Sequence, residues 1–115
     1  MATAFITHAD CMKHEMGEHH PERPERLAAI HDQLITSGIV GFLDHHDAPL
    51  AKITELSRVH PAEYIESLRM TSPRHGIVHL DPDTAMCAHT WDAALRAAGA
   101  AVLATDLVIG KRADT

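Results

Sequence analysis

The 115-residue chain has few aromatic residues: Phe5, Phe42, Tyr64 and Trp91 are all of them, so its core must be built from Ala, Leu, Ile, Val and Met. Such a core favours helices. The sequence also lacks any basic run longer than the pair Lys111-Arg112 and carries a formal net charge of −6, which argues against nucleic-acid phosphate as its main partner. No stretch approaches the roughly 20 apolar residues of a membrane span. The opening MATAFITHAD has neither the basic start nor the apolar run of a secretion signal, and a cytoplasmic location is expected. Cysteine is scarce as well: Cys11 and Cys87, in a chain without an export signal, read as reduced thiols rather than a disulfide. Glycine-rich phosphate loops are missing in every form.

What remains is an ordinary globular balance, 45% apolar and 23% charged, in a length that suits one domain spanning residues 1–115. Residues 2–7, ATAFIT, are β-branched and aromatic and predict a strand that delivers His8 and Asp10 to a loop. Pro24 then suits the first turn of a helix with Leu27, Ile30, Leu34 and Ile35 on one stripe, and Gly38 suits its stop. A second short strand is predicted over residues 39–46. Thr54 is a candidate N-cap for a brief turn, and Pro61 begins a helix with Tyr64, Ile65 and Leu68 on one face. After the polar segment HLDPDT, Thr90 is expected to cap the longest helix, running from Trp91 to about Ile109. Leu95, Ala98, Val102, Thr105 and Ile109 form one stripe of it, and Ala94, Ala97, Ala101, Leu107 and Val108 make its other face largely apolar too. A helix apolar on two sides expects protein on both. The order is α/β, with the chemistry expected in loops at the C-terminal ends of strands.

That position is taken by HADCMKHEMGEHHPERPER, in which His8, Cys11, His14, His19 and His20 crowd together. Their types are those of zinc ligands, but only one cysteine is present and the paired spacing of structural zinc motifs is absent. His14-Glu15 does not continue into the H-E-x-x-H of a metalloprotease, since Gly17 interrupts the helix that motif needs. Cys11 with His8 or His14 as base is a nucleophile reading without a visible orienting group. Buried, hydrogen-bonded histidines in a polar loop are the third reading, and residue types alone do not choose among them.

The order of motifs carries more. HPERPERL, ELSRVHPAEYI, LDPDT and AALRAAGAAVLATDLVIGK, in that order, resemble the N-terminal third of the histone deacetylase and acetylpolyamine amidohydrolase family, in its bacterial and class II branch. The resemblance implies a partial arginase-like three-layer α/β fold, here helix-rich with a short parallel sheet of two strands and four to five helical segments. It also implies a chemistry in which one zinc activates water to hydrolyse an acetyl-lysine-like amide. In that family an Asp-x-His pair and a further Asp hold the zinc, and a His-His pair in an RPPGHHA-like segment supplies the base. Those segments have no counterpart here, and His45-His46 lies on the wrong element for the base.

What carries over is scaffold and rim. His20 and Pro21 match the first active-site loop beside the substrate tunnel. Arg26 matches the arginine of the internal channel behind the metal, where a permanent cation suits a departing acetate; otherwise it pairs with Glu22 or Glu25 on a solvated helix start. Asp81 or Asp83 matches the rim aspartate that accepts bonds from substrate amides, against the alternative of a turn residue. His60 and Tyr64 read as fold residues. The expectation is a truncated deacetylase-like protein with no catalytic residue, metal ligand or cofactor of its own, inactive alone. The competing expectations are a non-catalytic module that oligomerises through an exposed strand edge and the long C-terminal helix, and a small His-rich metal-binding protein.

Overall fold

A computed structural model describes residues 1–115. Strand β1, Thr3–Thr7, pairs in parallel with β2, Leu43–Asp47, in the register Thr3 with Leu43 through Thr7 with Asp47. Helix α1, Glu25–Thr36, makes the crossover between them, with Pro24 at its N-cap position rather than in its first turn. The second strand starts later than its apolar run implied, because residues Val40–Phe42 close a 3-10 turn whose carbonyl at Val40 takes the amide of Leu43. A short helix α2, Ile53–Leu56, follows without a side-chain cap, so Thr54 lies inside it rather than at its start. Helix α3, Ala62–Thr71, begins after Pro61.

The polar segment HLDPDT, to which the sequence pattern assigns no element, lies in a hairpin. Strands β3, Val78–Asp81, and β4, Thr84–Met86, pair antiparallel with an irregularity between His79 and Asp81. Asp81 accepts the amide of Asp83 through Oδ1 at 2.8 Å, so an Asp-Pro-Asp sequence supplies its own turn. Helix α4, Thr90–Ile109, then runs back along the molecule, preceded by His89. Thr90 does not act as the N-cap. Its hydroxyl reaches back to accept the amide of Cys87 at 2.8 Å, two residues before the N-cap His89.

After α4 the chain turns so that its last residues lie beside β1. The Ala4 amide donates to Thr115 at 2.7 Å and the Asp114 amide to Ala2 at 2.8 Å. β1 is therefore bonded on both sides, and β2 forms the sheet's outer edge.

The deepest positions of α4 are Ala93, Gly99 and Leu107, not the Leu95 and Ala98 stripe. Backbone contact is the reason. The Ala51 amide donates to the mid-helix carbonyl of Leu95 at 3.0 Å, and a Cβ on Gly99 would fall on the carbonyl oxygen of Pro49 and 2.8 Å from its carbon. The Leu95 and Ala98 side instead faces Leu56, Tyr64 and Leu68 across an apolar cavity of about 430 Å³. Apolar faces elsewhere are only partly covered. Helix α1 has no buried residue, and Ile30 and Ile35 on its stripe stay exposed. The accessible surface is 7951 Å², against about 6,200 Å² for a compact monomer of this size. The radius of gyration is 15.8 Å, where about 13 Å is usual.

One ion pair fixes the loop after β1 to this frame. Arg96 of α4 donates through Nε to Asp10 Oδ2 at 2.9 Å and through Nη1 to the Ala48 carbonyl at 2.9 Å. Lys13 reaches Asp10 Oδ1 at 3.2 Å. The Arg96 guanidinium, with Lys13, holds the Asp10 carboxyl below its ordinary value in spite of partial burial.

Two outcomes follow from these contacts. Gly99→Ala should lower stability in urea unfolding by about 2 kcal/mol or more through overpacking, although alanine is the better helix former by about 1 kcal/mol. A gain would mean that the Pro49 segment yields freely. For Asp10 the folded value is depressed, so its pairing stabilises the fold above the ordinary carboxylate range and is lost as pH falls through the depressed value. Asp10→Asn should melt lower than the parent near neutral pH, and the gap should begin to close only below about pH 4, as pH approaches the depressed value; curves that stay parallel as pH falls would remove the ion pair from the account.

Candidate functional site

The loop leaves β1 at His8, in extended conformation, and coils at once into a 3-10 turn over Ala9–Lys13. His8 Nδ1 accepts the Asp10 amide at 3.1 Å and stands equally close to Asp10 Oδ2. One nitrogen cannot accept from the amide and donate to the carboxylate, and the cap geometry favours the first, which leaves the ring proton on Nε2.

The next histidine is tied to the start of α4. His14 Nδ1 lies 2.8 Å from Thr90 Oγ1, and the Glu15 amide donates to Cys87 Sγ at 3.4 Å. Cys87 is buried and its thiol donates to the Lys13 carbonyl at 3.4 Å. Burial pushes the Cys87 thiol up, but the Thr90 hydroxyl and the amides of Glu15, His89 and Thr90 outweigh it and hold the group below its ordinary value. Cys11 goes the other way, raised by burial and by the Asp10 charge. Neither is in a disulfide. The raised thiol is a poor nucleophile at neutral pH, which weakens the reading of Cys11 as an attacking group.

The loop then makes its sharpest bend. His19 adopts φ 62°, a left-handed conformation uncommon for a residue with a side chain, and so turns His20 inward while remaining exposed itself. His20 Nδ1 accepts the Glu22 amide at 3.0 Å, which leaves the ring proton on Nε2, 3.2 Å from Asp83 Oδ1. Two candidate residues 63 positions apart in sequence thereby meet. The side chain of Asp83 is otherwise 94% exposed. Asp81 is differently employed: the Asp83 amide, then the hydroxyl and amide of Thr84, hold its carboxyl below the usual range. Pro21 is exposed. Arg26, in the first turn of α1, pairs with Glu22 through Nη2 at 3.0 Å, both side chains about half exposed.

The histidines do not converge. Each of His8, His14 and His20 is committed to a local partner, and no three His, Cys, Asp or Glu side chains are placed to hold a metal ion. The donor set present here does not fit a zinc ion. One Asp-x-His spacing does occur, Asp44-His45-His46, but it lies on β2, where His46 Nε2 meets Asp44 Oδ2 at 3.0 Å and His45 Nε2 meets the Val40 carbonyl.

Arg96, Thr90 and Cys87 organise the loop; the sequence pattern does not single out Arg96 and gives Thr90 and Cys87 other roles, a helix cap and a free thiol. A signal existed for the first, since Arg96 is the single cation in the long, alanine-rich α4. No helix of the protein is long and apolar enough to cross a membrane.

Known proteins share this arrangement. The histone deacetylase domain profile matches residues 20–115. A probable deacetylase of Archaeoglobus fulgidus is 38% identical over 99% of this chain and 32% of its own length. A histone deacetylase-like amidohydrolase of Pseudomonas aeruginosa is 30% identical over 97% of this chain and 34% of its own. The crystal structure of the HDA15 HD domain superposes with a TM-score of 0.81 at 31% identity, covering 96% of this chain and 33% of that one. The chain spans about a third of the length of these relatives, and it belongs to the histone deacetylase family.

Proposed function

We propose that the chain supplies the scaffold, first active-site loop and rim of a zinc-dependent, histone deacetylase-like amidohydrolase acting on acetyl-lysine or acetylpolyamine amides. The observation that carries this is the His20–Asp83 contact, which joins the tunnel loop to the hairpin rim. Asp83, rather than Asp81, is the rim aspartate in this reading. The Asp81 carboxylate is spent on its own turn, whereas Asp83 offers an oxygen to solvent while His20 fixes the other. An exposed carboxylate with one oxygen held in place accepts substrate backbone amides at little cost in side-chain order.

His20 and Pro21 border the tunnel. Arg26, which here pairs with Glu22 on a half-exposed helix start, becomes the cation of the internal channel only where further protein covers that start, its fixed charge and several donors suiting a departing acetate. No hydrolytic step is assigned to these residues, because none of them is placed to hold a metal or to activate water. The uncovered face of α1 and the surplus of accessible surface support a piece that packs within a larger α/β body.

A domain exchange tests the proposal. Replacing the matching third of the Archaeoglobus fulgidus relative with this chain should give a hybrid that deacetylates an acetyl-lysine peptide. Asp83→Ala in the hybrid should raise KM about tenfold with kcat little changed, the mark of lost substrate binding, whereas Asp81→Ala should act through stability. The 115 residues alone should give no turnover with zinc added; chelator-sensitive turnover by them would overturn the proposal.

A further inference from the structure

The geometry of β2 points to a docking surface for a second copy of this chain. We propose that two copies pair antiparallel along the outer edges of their β2 strands, in a register centred on His45.

The direction of the backbone groups sets this register. The Ala48 amide donates to the Thr7 carbonyl, so even-numbered residues of β2 bond to β1 and odd-numbered ones point outward. Leu43, His45 and Asp47 therefore present their carbonyls to the open edge. The outward amides of His45 and Asp47 join them, while that of Leu43 is taken by Val40. A two-fold axis at His45 lets the two His45 residues exchange both bonds and gives each Asp47 amide the Leu43 carbonyl of the second copy.

Charge selects the same register. Asp44 and His46 fall at non-hydrogen-bonded positions, where facing side chains approach most closely, and each Asp44 stands opposite His46 of the second copy. Within one strand His46 Nε2 already lies 3.0 Å from Asp44 Oδ2, so pairing exchanges this contact for the same contact between copies, which a neutral or charged ring can make. Sliding to the next allowed register sets Asp44 against Asp44 in one direction and His46 against His46 in the other. An edge protected against pairing carries charge of one sign, which repels its own copy; LDHHD is complementary to itself in one alignment only. Exposed apolar side chains flank the strand at both ends, Phe42 before it at 86% exposure and Leu50 after it.

Sedimentation velocity across concentration tests the pairing on the full chain. The parent should show a monomer–dimer equilibrium with a dissociation constant on the order of 10 µM, as suits a small interface. Asp44→His and His46→Asp, each placing like groups opposite, should weaken it about tenfold or more, and the double swap Asp44→His with His46→Asp should restore it. Hydrogen exchange on the parent needs no variant: the His45 and Asp47 amides should gain protection as concentration rises. A parent that stays monomeric, a dimer indifferent to the single substitutions, a natively folded double swap that fails to dimerise, or unprotected amides at 45 and 47 would each overturn the proposal.

Discussion

The arrangement of the site depends on one charged side chain entering an otherwise apolar helix interface. Arg96 bonds a carboxylate in the loop after β1 and a carbonyl just past β2, so loop, sheet and α4 share a single guanidinium. Its fork geometry permits that sharing, since Nε and Nη1 diverge toward two acceptors on different segments. A lysine would offer a point charge without the second direction. With the loop's first turn pinned at Asp10, the bonds from His14 to Thr90 and from Glu15 to Cys87 lie one helical turn away and set the next stretch.

Close approach makes that clamp possible. Because Gly99 has no side chain, the backbone of Pro49–Ala51 rests directly on α4, and Ala48 comes within reach of Arg96. The same economy explains the small buried set, composed chiefly of alanines. Small residues give short interaxial distances but little apolar area per contact, so stability leans on close backbone fit rather than on large side chains. The surfaces left over, along α1 and across the cavity beneath α3, are those whose larger residues remain without a complete lining.

Much of this was legible in sequence wherever the signal was local. β1, α1, α3 and α4 followed from β-branched runs, proline placement and apolar spacing, and the family followed from motif order. The hairpin did not, because LDPDT stores its turn in an Asp side chain while β3 is exposed throughout and β4 is three residues long with adjacent Ala85 and Met86 both buried, leaving no alternation to detect. Thr90 was misread as a cap for a related reason: a threonine before an apolar run fits either the N-cap or the first turn, and only the position of Cys87 decides. The histidine cluster stayed open on composition alone. Ligand types close in sequence are ligands only if their side chains converge, and the left-handed bend at His19 sends neighbouring rings to different partners.

His20 with Asp83 and His46 with Asp44 show one chemistry in two mechanical settings. At the loop, the Glu22 amide occupies Nδ1 and thereby fixes the proton on Nε2, so the pair to Asp83 has a defined donor and a defined direction. The carboxylate is held by one oxygen and presents the other outward, an arrangement suited to receiving donors from a third party. On β2 no amide sets the tautomer of His46, and its partner is two residues along the same strand, already within 3.0 Å. That pair gains little from a distant substrate and much from a copy of itself, because the strand's period of two repeats the Asp-His spacing on one face of the sheet. In the reading proposed above, the fixed proton of His20 serves the rim, while the proton of His46, which no amide sets, serves the strand edge.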